Sequence, residues 1–221
     1  LQYLSGNTSN SGTQVNLETN RLFRDTSAWL HVVLAVDTSQ GTDSNRIKLY
    51  VNGSQETSFN TSTYPSQDTD LLTSTTPQQT IGMRDLRGTN AQFWDGYMCE
   101  VVFIDNQQLA PDQFGEFDSD SPTIWKPIDV SGLTFGTGGY YLEFKQSGTS
   151  QNSSGLGADT SGNNQHFAVS NLTAVDQSID TCTNNACTLN PLYRYTNNMT
   201  YSEGNLKVVG GGNSWQGANS T

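Results

Sequence analysis

The chain has few residues of the types that carry most enzyme chemistry. It contains 2 histidines and 3 cysteines, and charged residues make up only 14% of its 221 positions. A Ser-His-Asp or Cys-His site would have to use His31 or His166, and neither lies in a nucleophile motif. The cysteines and histidines also form no zinc-ligand set. The sequence therefore argues against histidine-dependent hydrolysis and against a structural zinc.

Basic residues are also scarce. The chain has 10 Lys and Arg against 21 Asp and Glu, which gives a formal net charge of −11. The long-range field of such a chain repels phosphate backbones and anionic membrane surfaces. An apolar run of about 18 residues, the length of a membrane-spanning helix, is missing too. We therefore expect no nucleic-acid partner and no membrane insertion.

The strongest strand signals lie in a predicted β-meander at residues 29–59. Residues 31–37, HVVLAVD, form a nearly continuous apolar run, which predicts a central strand covered on both faces. Residues 46–51 alternate between apolar and polar types, and we expect the core-facing side chains to be Ile47, Leu49 and Val51. The Asn52-Gly53 pair that follows is typical of a type I′ hairpin turn.

A second strand region spans residues 92–105, with a predicted bend at Gly96. Its strand at 97–104 should neighbour those of the meander. Between the two regions we expect a surface excursion at 60–79, a short strand in QQTIGM, and a charged loop at 84–90. Pro111 predicts a short helix.

The motifs on these strands resemble a known family. Trp29-x-His31 precedes a valine-rich strand ending in Asp37, and LYVNG follows at 49–53. Ile81-Gly82 and FWDGY are similar to later strands of the same family. Over residues 21–117 the chain resembles the concanavalin A-like jelly roll of the laminin-G type. The resemblance implies an all-β jelly-roll β-sandwich, followed here by a loop-rich C-terminal extension.

The predicted domain organisation follows from this resemblance and from composition. We assign residues 1–120 to the laminin-G-like jelly roll, with its N-terminal strands missing because the chain is interpreted as a fragment. The acidic, proline-containing FDSDSPTIWKP is interpreted as a linker. Residues 121–200 are predicted to be linker and loop-rich β extension, and residues 201–221 the start of a further β module with one short strand before its glycine triplet.

A narrower resemblance concerns the setting in which the domain works. FRDTSAWLHVVLAVDT, TYPSQDTDLL, FGEFDSDSPTIWKP and CTLNPL are similar to virion-associated proteins of tailed marine bacteriophages. This implies a virion or extracellular location, with glycans or other virion proteins as partners and a homo-oligomeric state within an assembly.

The concanavalin A-like superfamily also includes glucanases, which place two carboxylates on one strand about 5 Å apart. No E-x-D-x-x-E motif occurs here. Glu100 and Asp105 are five positions apart and should point to opposite faces of a strand, and Asp95 lies on the other side of Gly96. We therefore predict no catalytic residue.

Laminin-G-like domains often bind Ca²⁺ through loop carboxylates, so the resemblance implies Ca²⁺ as a candidate cofactor. The candidate ligands are Asp37, Asp43, Asp85, Asp95 and Asp159. None belongs to a D-x-D-x-D-G series, and we prefer to interpret them as turn and capping residues. The prediction is therefore no metal site.

The candidate ligand-binding residues are Arg84, Asp85 and Trp94, where a charged loop lies close in sequence to an aromatic side chain suited to sugar stacking. Packing of Trp94 in the core is the competing interpretation. Cys182 and Cys187 are the candidate pair for a small disulfide loop in an oxidising setting, and Cys99 is interpreted as a buried free thiol.

Together these features favour a non-enzymatic module of a phage tail fibre or capsid fibre that binds host glycans or neighbouring subunits. One alternative is a pure scaffold without sugar binding. A second is a polysaccharide-degrading hydrolase of the same superfamily.

Overall fold

The computed structural model describes residues 1–6, 13–25, 28–71, 79–85, 90–178, 181–182, 189–194, 199–202, 207–211 and 218–220. They belong to two compact units. The first unit comprises Leu1–Gly96 and Asn106–Val130, and the second comprises Tyr97–Asp105 and Ser131–Thr221. In the described residues of both units the regular elements are mainly β-strands and the helices are short, which confirms the predicted all-β class.

The strands of the first unit are β1 (Gln2–Ser5), β2 (Val15–Thr19), β3 (Val32–Val36), β4 (Ile47–Val51), β5 (Ser54–Gln55), β6 (Phe59–Thr63), β7 (Arg84–Asp85), β8 (Asn90–Ala91), β10 (Gly115–Phe117) and β11 (Trp125–Pro127). Those of the second are β9 (Val101–Phe103), β12 (Tyr140–Leu142), β13 (Leu189–Arg194), β14 (Met199–Ser202), β15 (Lys207–Gly210) and β16 (Ala218–Ser220). The helical segments are α1 (Asp43–Arg46) and 3₁₀ turns at Pro111–Gln113 and Ala174–Asp176. In the part of the chain that the structure describes, no helix has the length and hydropathy of a membrane span.

Two three-stranded antiparallel sheets build the core of the first unit. One has the order β1-β2-β6 and the other β3-β4-β5. Val15 and Leu17 of β2 pack with Ile47 of β4 and with Leu71, and all four are at most 2% exposed. The two sheets therefore meet through one apolar core, as in a β-sandwich.

The predicted orientation and turn of β4 are confirmed. Ile47, Leu49 and Val51 are 2%, 4% and 1% exposed, whereas Lys48 and Tyr50 are half-buried. The chain reverses after β4 with φ of +49° at Asn52 and +74° at Gly53, as a type I′ turn requires.

The expectation for β3 is wrong in one respect. Among the described residues β3 pairs with β4 alone, so it is an edge strand and not a central one. Val32 and Leu34 are 45% and 37% exposed, although their cross-strand partners Val51 and Leu49 are buried. A continuous apolar run therefore does not guarantee that both faces of a strand are covered.

Three other segments differ from the predictions. Residues 60–63 belong to β6, which pairs with β2, and are not part of a surface excursion. No strand lies at 79–83, where QQTIGM predicted one. The next strand is β7, and it pairs with β8, so these two strands lie at the two ends of the predicted charged loop. The assumed linker near 117–127 is a hairpin of β10 and β11. Polar strands such as β6 escaped prediction because they have no apolar alternation.

In the second unit β9 pairs with β12, and among the described residues it pairs with none of the meander strands, so the expected direct pairing of 97–104 with those strands is wrong. The strand is also shorter than expected, because Glu100 has a φ of +56°. Near the C-terminus β14 pairs with β15, the predicted short strand before the glycine triplet, and β13 pairs with β16.

Candidate functional site

The predicted binding residues lie on and beside the β7–β8 hairpin of the first unit. Arg84 pairs with Ala91 and Asp85 with Asn90, so the backbone of both candidate residues is fixed by an antiparallel ladder. The side chains of these four residues fall outside what the structure describes. Trp94 follows closely, and its backbone N–H donates to the Gly82 carbonyl oxygen at 2.7 Å. The local backbone therefore joins the segment before the hairpin to the aromatic segment after it.

Trp94 is exposed, which separates the two interpretations of this residue. Its exposed fraction is 59%, and that of Phe93 beside it is 70%. An indole with this exposure contributes little to a core, but its flat apolar face is available for stacking. The structure thus places Trp94 where a ligand can reach it.

The other aromatic site of the first unit surrounds Trp125 and is structural. The indole N–H of Trp125 donates to Nδ1 of His31 at 3.0 Å, and Phe117 packs edge-on against the indole with ring centroids 5.0 Å apart. The backbone N–H of His31 donates to the side-chain oxygen of Asn52, and the Asn52 N–H donates back to the His31 carbonyl. The histidine of the Trp-x-His motif therefore joins β3, the hairpin turn and β11.

Two glycines make room for the Trp125 indole. A Cβ at Gly53 would lie 2.3 Å from a ring carbon of Trp125, and one at Gly115 would lie 2.6 Å from the ring. Gly53 is thus needed twice, for its positive φ and for its lack of a side chain. Sequence reasoning missed Trp125 because it lies in a segment interpreted as a linker. The one available signal was the strand-like IWKP after a proline.

Both histidines use Nδ1 as a hydrogen-bond acceptor within the fold. Burial lowers the pKa of His31, and its Nδ1 accepts a hydrogen bond from the indole N–H of Trp125. His166 Nδ1 accepts the backbone N–H of Asp159 at 3.0 Å. Both rings therefore use an acceptor nitrogen to hold the fold.

Two of the aspartates considered for Ca²⁺ are turn residues whose oxygens face N–H and O–H donors. Asp37 accepts from Ser39 and Gln40, and those hydrogen bonds lower its pKa. Asp159 accepts the N–H groups of Tyr141, Ser161 and Gln165 together with the Ser161 hydroxyl. Both carboxylates therefore act as hydrogen-bond acceptors for backbone and side-chain donors. Within the described residues, no group of three or more His, Cys, Asp or Glu side chains is placed to hold a metal ion.

The cysteines are placed differently from the expectation. Cys99 is half-buried, not buried, and its sulfur lies 3.6 Å from that of Cys182 in the second unit. Cys187 lies outside the described residues, so the Cys182–Cys187 pairing stays a prediction.

The fold and these motifs define a β-sandwich domain whose packing depends on a Trp-x-His strand and an Asn-Gly turn. Residues 2–113, just over half of the 221-residue chain, match the Laminin_G_3 model of the concanavalin A-like lectin/glucanases superfamily. The chain belongs to this family. No curated protein and no solved structure matches it. Membership establishes the fold class, but the superfamily contains both lectins and glucanases, so it leaves the activity open.

Proposed function

We propose that this protein is a non-enzymatic carbohydrate-binding module, in which Trp94 stacks on a sugar ring beside the β7–β8 hairpin. The exposure of Trp94, 59% in a domain of the lectin and glucanase superfamily, is the observation that carries the proposal. Phe93 adds a second exposed ring. Arg84 and Asp85 lie on the adjoining strand and are the proposed hydrogen-bonding partners of sugar hydroxyl groups.

The ligand we propose is a neutral or weakly charged glycan. The net charge of −11 disfavours polyanions, because their phosphate, sulfate or carboxylate groups would be repelled over a distance comparable to the Debye length. Stacking on an indole relies instead on the apolar face of a pyranose, and it needs no charge on the sugar.

The test is a glycan array probed with the wild-type chain, followed by titration calorimetry on the best ligand. We expect Trp94→Ala to weaken binding about tenfold or more, since it removes the stacking surface. Trp94→Phe keeps a smaller aromatic face and should retain intermediate affinity. An array that shows no ligand would contradict glycan binding and leave the exposed rings as a contact for a protein neighbour. A glycan affinity that survives Trp94→Ala would contradict Trp94 as the stacking residue.

The absence of catalysis is part of the same proposal. It is supported by the two histidines, whose Nδ1 atoms are engaged by Trp125 and Asp159, and by the lack of an E-x-D-x-x-E strand. We expect purified protein to release no reducing ends from any glycan that it binds. Release that disappears in Glu100→Gln would support the hydrolase alternative instead.

The biological setting we propose is the fibre of a tailed phage, where the module adheres to host glycans or neighbouring subunits as a homo-oligomer. This part is supported by the similarity of FRDTSAWLHVVLAVDT and FGEFDSDSPTIWKP to virion-associated proteins. Mass spectrometry of purified virions of a phage that encodes this chain should detect its peptides. Their restriction to the non-virion fraction of the lysate would contradict the setting without affecting the proposed sugar site.

A further inference from the structure

The second unit brings together two cysteines that are 83 positions apart in the sequence. The Cys182 thiol donates to the Cys99 sulfur, with the two sulfurs 3.6 Å apart. Both side chains are half-buried, so a small reagent can reach them. We propose that Cys99 and Cys182 form a reversible disulfide, which makes this pair the oxidation site of the chain.

The local backbone permits the small movement that a disulfide needs. Bond formation would bring the sulfurs closer by about 1.5 Å. Cys99 lies just before β9, and Cys182 lies outside the named strands, so neither residue is held in a strand ladder. Glu100, between Cys99 and β9, has a φ of +56° and turns the chain at this point. The cross-link would join the 181–182 segment to the strand that pairs with β12.

The surroundings give the two sulfurs different roles. The hydrogen bond from Cys182 lowers the pKa of the Cys99 thiol to about 7, and the Lys145 ammonium acts in the same direction, against burial and the Glu100 carboxylate. The pKa of Cys182 is raised, first by its hydrogen bond to Cys99 and then by burial. Cys99 is therefore the attacking thiolate, and Cys182 is the thiol that resolves the intermediate.

The oxidant is a small dialkyl disulfide of the glutathione class. The Cys99 thiolate attacks one sulfur of the oxidant, which breaks its S–S bond and releases one small thiolate. Cys182 then loses its proton and attacks the Cys99 sulfur of the mixed disulfide, releasing the second small thiolate. The protein loses two electrons and two thiol protons, and the oxidant is reduced to two thiols.

The experiment treats the reduced full chain, without denaturant, with oxidised glutathione, then blocks the remaining thiols and digests with trypsin. Because Lys126 precedes Pro127 and is not cut, Cys99 lies in peptide 88–145, whereas Cys182 and Cys187 share peptide 146–194. Mass spectrometry should find these two peptides joined. The Cys187→Ser variant should give the same joined peptides and should have no free thiol left at Cys99 or Cys182. The Cys182→Ser variant should give no joined peptides.

Two results would overturn the proposal. One is a bond within peptide 146–194 of the wild type, which would identify Cys182 and Cys187 as the pair. The other is a Cys187→Ser protein that keeps both thiols or carries only mixed disulfides with glutathione.

Discussion

At the scale of single residues, the contacts around Trp125 explain why the motif residues of the first unit occur together. The indole meets His31, Phe117 and two glycines that must lack a side chain. We expect Trp125→Ala to lower the free energy of unfolding by about 3 kcal/mol, because it leaves a cavity and an unpaired His31 Nδ1. Urea denaturation measures this. The matched control is Trp94→Ala, whose exposed ring should cost less than about 0.5 kcal/mol.

Three glycines allow backbone strain to be separated from steric overlap. Gly53→Ala combines a φ of +74° with overlap on the Trp125 ring, and should cost about 2 kcal/mol or more. Gly82→Ala has a φ of +81° but nothing within 4 Å, so strain alone should cost about 1 kcal/mol. Gly41→Ala has neither feature and should be near neutral. Equal losses at Gly53 and Gly82 would show that the Trp125 contact adds nothing.

His31 should make folding stability depend on pH. Burial lowers its pKa in the folded state below the ordinary value of 6.5, so the unfolded chain binds a proton at higher pH than the folded one. Stability should therefore be fully present above this value and fall as pH decreases from there towards the folded-state pKa. Protonation also removes the acceptor of the Trp125 N–H.

The comparison that checks this is denaturation of the wild type and of His31→Gln between about pH 5 and pH 8. The glutamine does not titrate and can still accept a hydrogen bond, so the wild type should lose more stability towards acid than the variant. Identical pH profiles would show that His31 does not contribute to the dependence.

At the scale of elements, β3 and β4 provide a direct test of which strand carries the core. Leu34 and Leu49 are cross-strand partners on one sheet face, but they are 37% and 4% exposed. We expect Leu49→Ala to cost about 3 kcal/mol and Leu34→Ala about 1 kcal/mol. Similar losses from both variants, measured by chemical denaturation, would mean that the edge strand is covered in solution.

The same elements show how far sequence reasoning reached. It succeeded at β4 and its turn, because strict alternation and Asn52-Gly53 carry local information. It failed at β6 and β10, which consist of polar or acidic segments whose pairing depends on distant strands. It also could not predict the partner of β9, since β12 lies some forty residues later in the chain.

The candidate site was predicted only in part. Composition near FWDGY suggested an aromatic site, but exposure of Trp94 depends on which tertiary neighbours cover it, and no local pattern contains that information. His31 was identified from the sequence as part of the Trp-x-His motif. Its partner Trp125 was missed, because the hydrogen bond joins residues 94 positions apart.

At the scale of the whole molecule, the net charge of −11 should determine which ligands are excluded. Affinity for a neutral glycan should change less than about twofold between 50 and 500 mM NaCl, because stacking and hydrogen bonds to hydroxyl groups carry no net charge. Heparin and nucleic acid should not bind at either salt concentration. Calorimetry at the two concentrations tests both statements, and a steep loss of affinity with salt would indicate an ionic ligand instead.

The central claim is that a sugar meets the indole of Trp94, and the side-chain N–H signals of the tryptophans in a ¹⁵N–¹H NMR spectrum test it most directly. The four signals can be assigned by single Trp→Phe variants. During titration with the best array ligand, the Trp94 signal should shift in proportion to occupancy, while the Trp125 signal, hydrogen-bonded to His31, should stay in place. A saturating ligand that leaves the Trp94 signal unmoved would contradict the account.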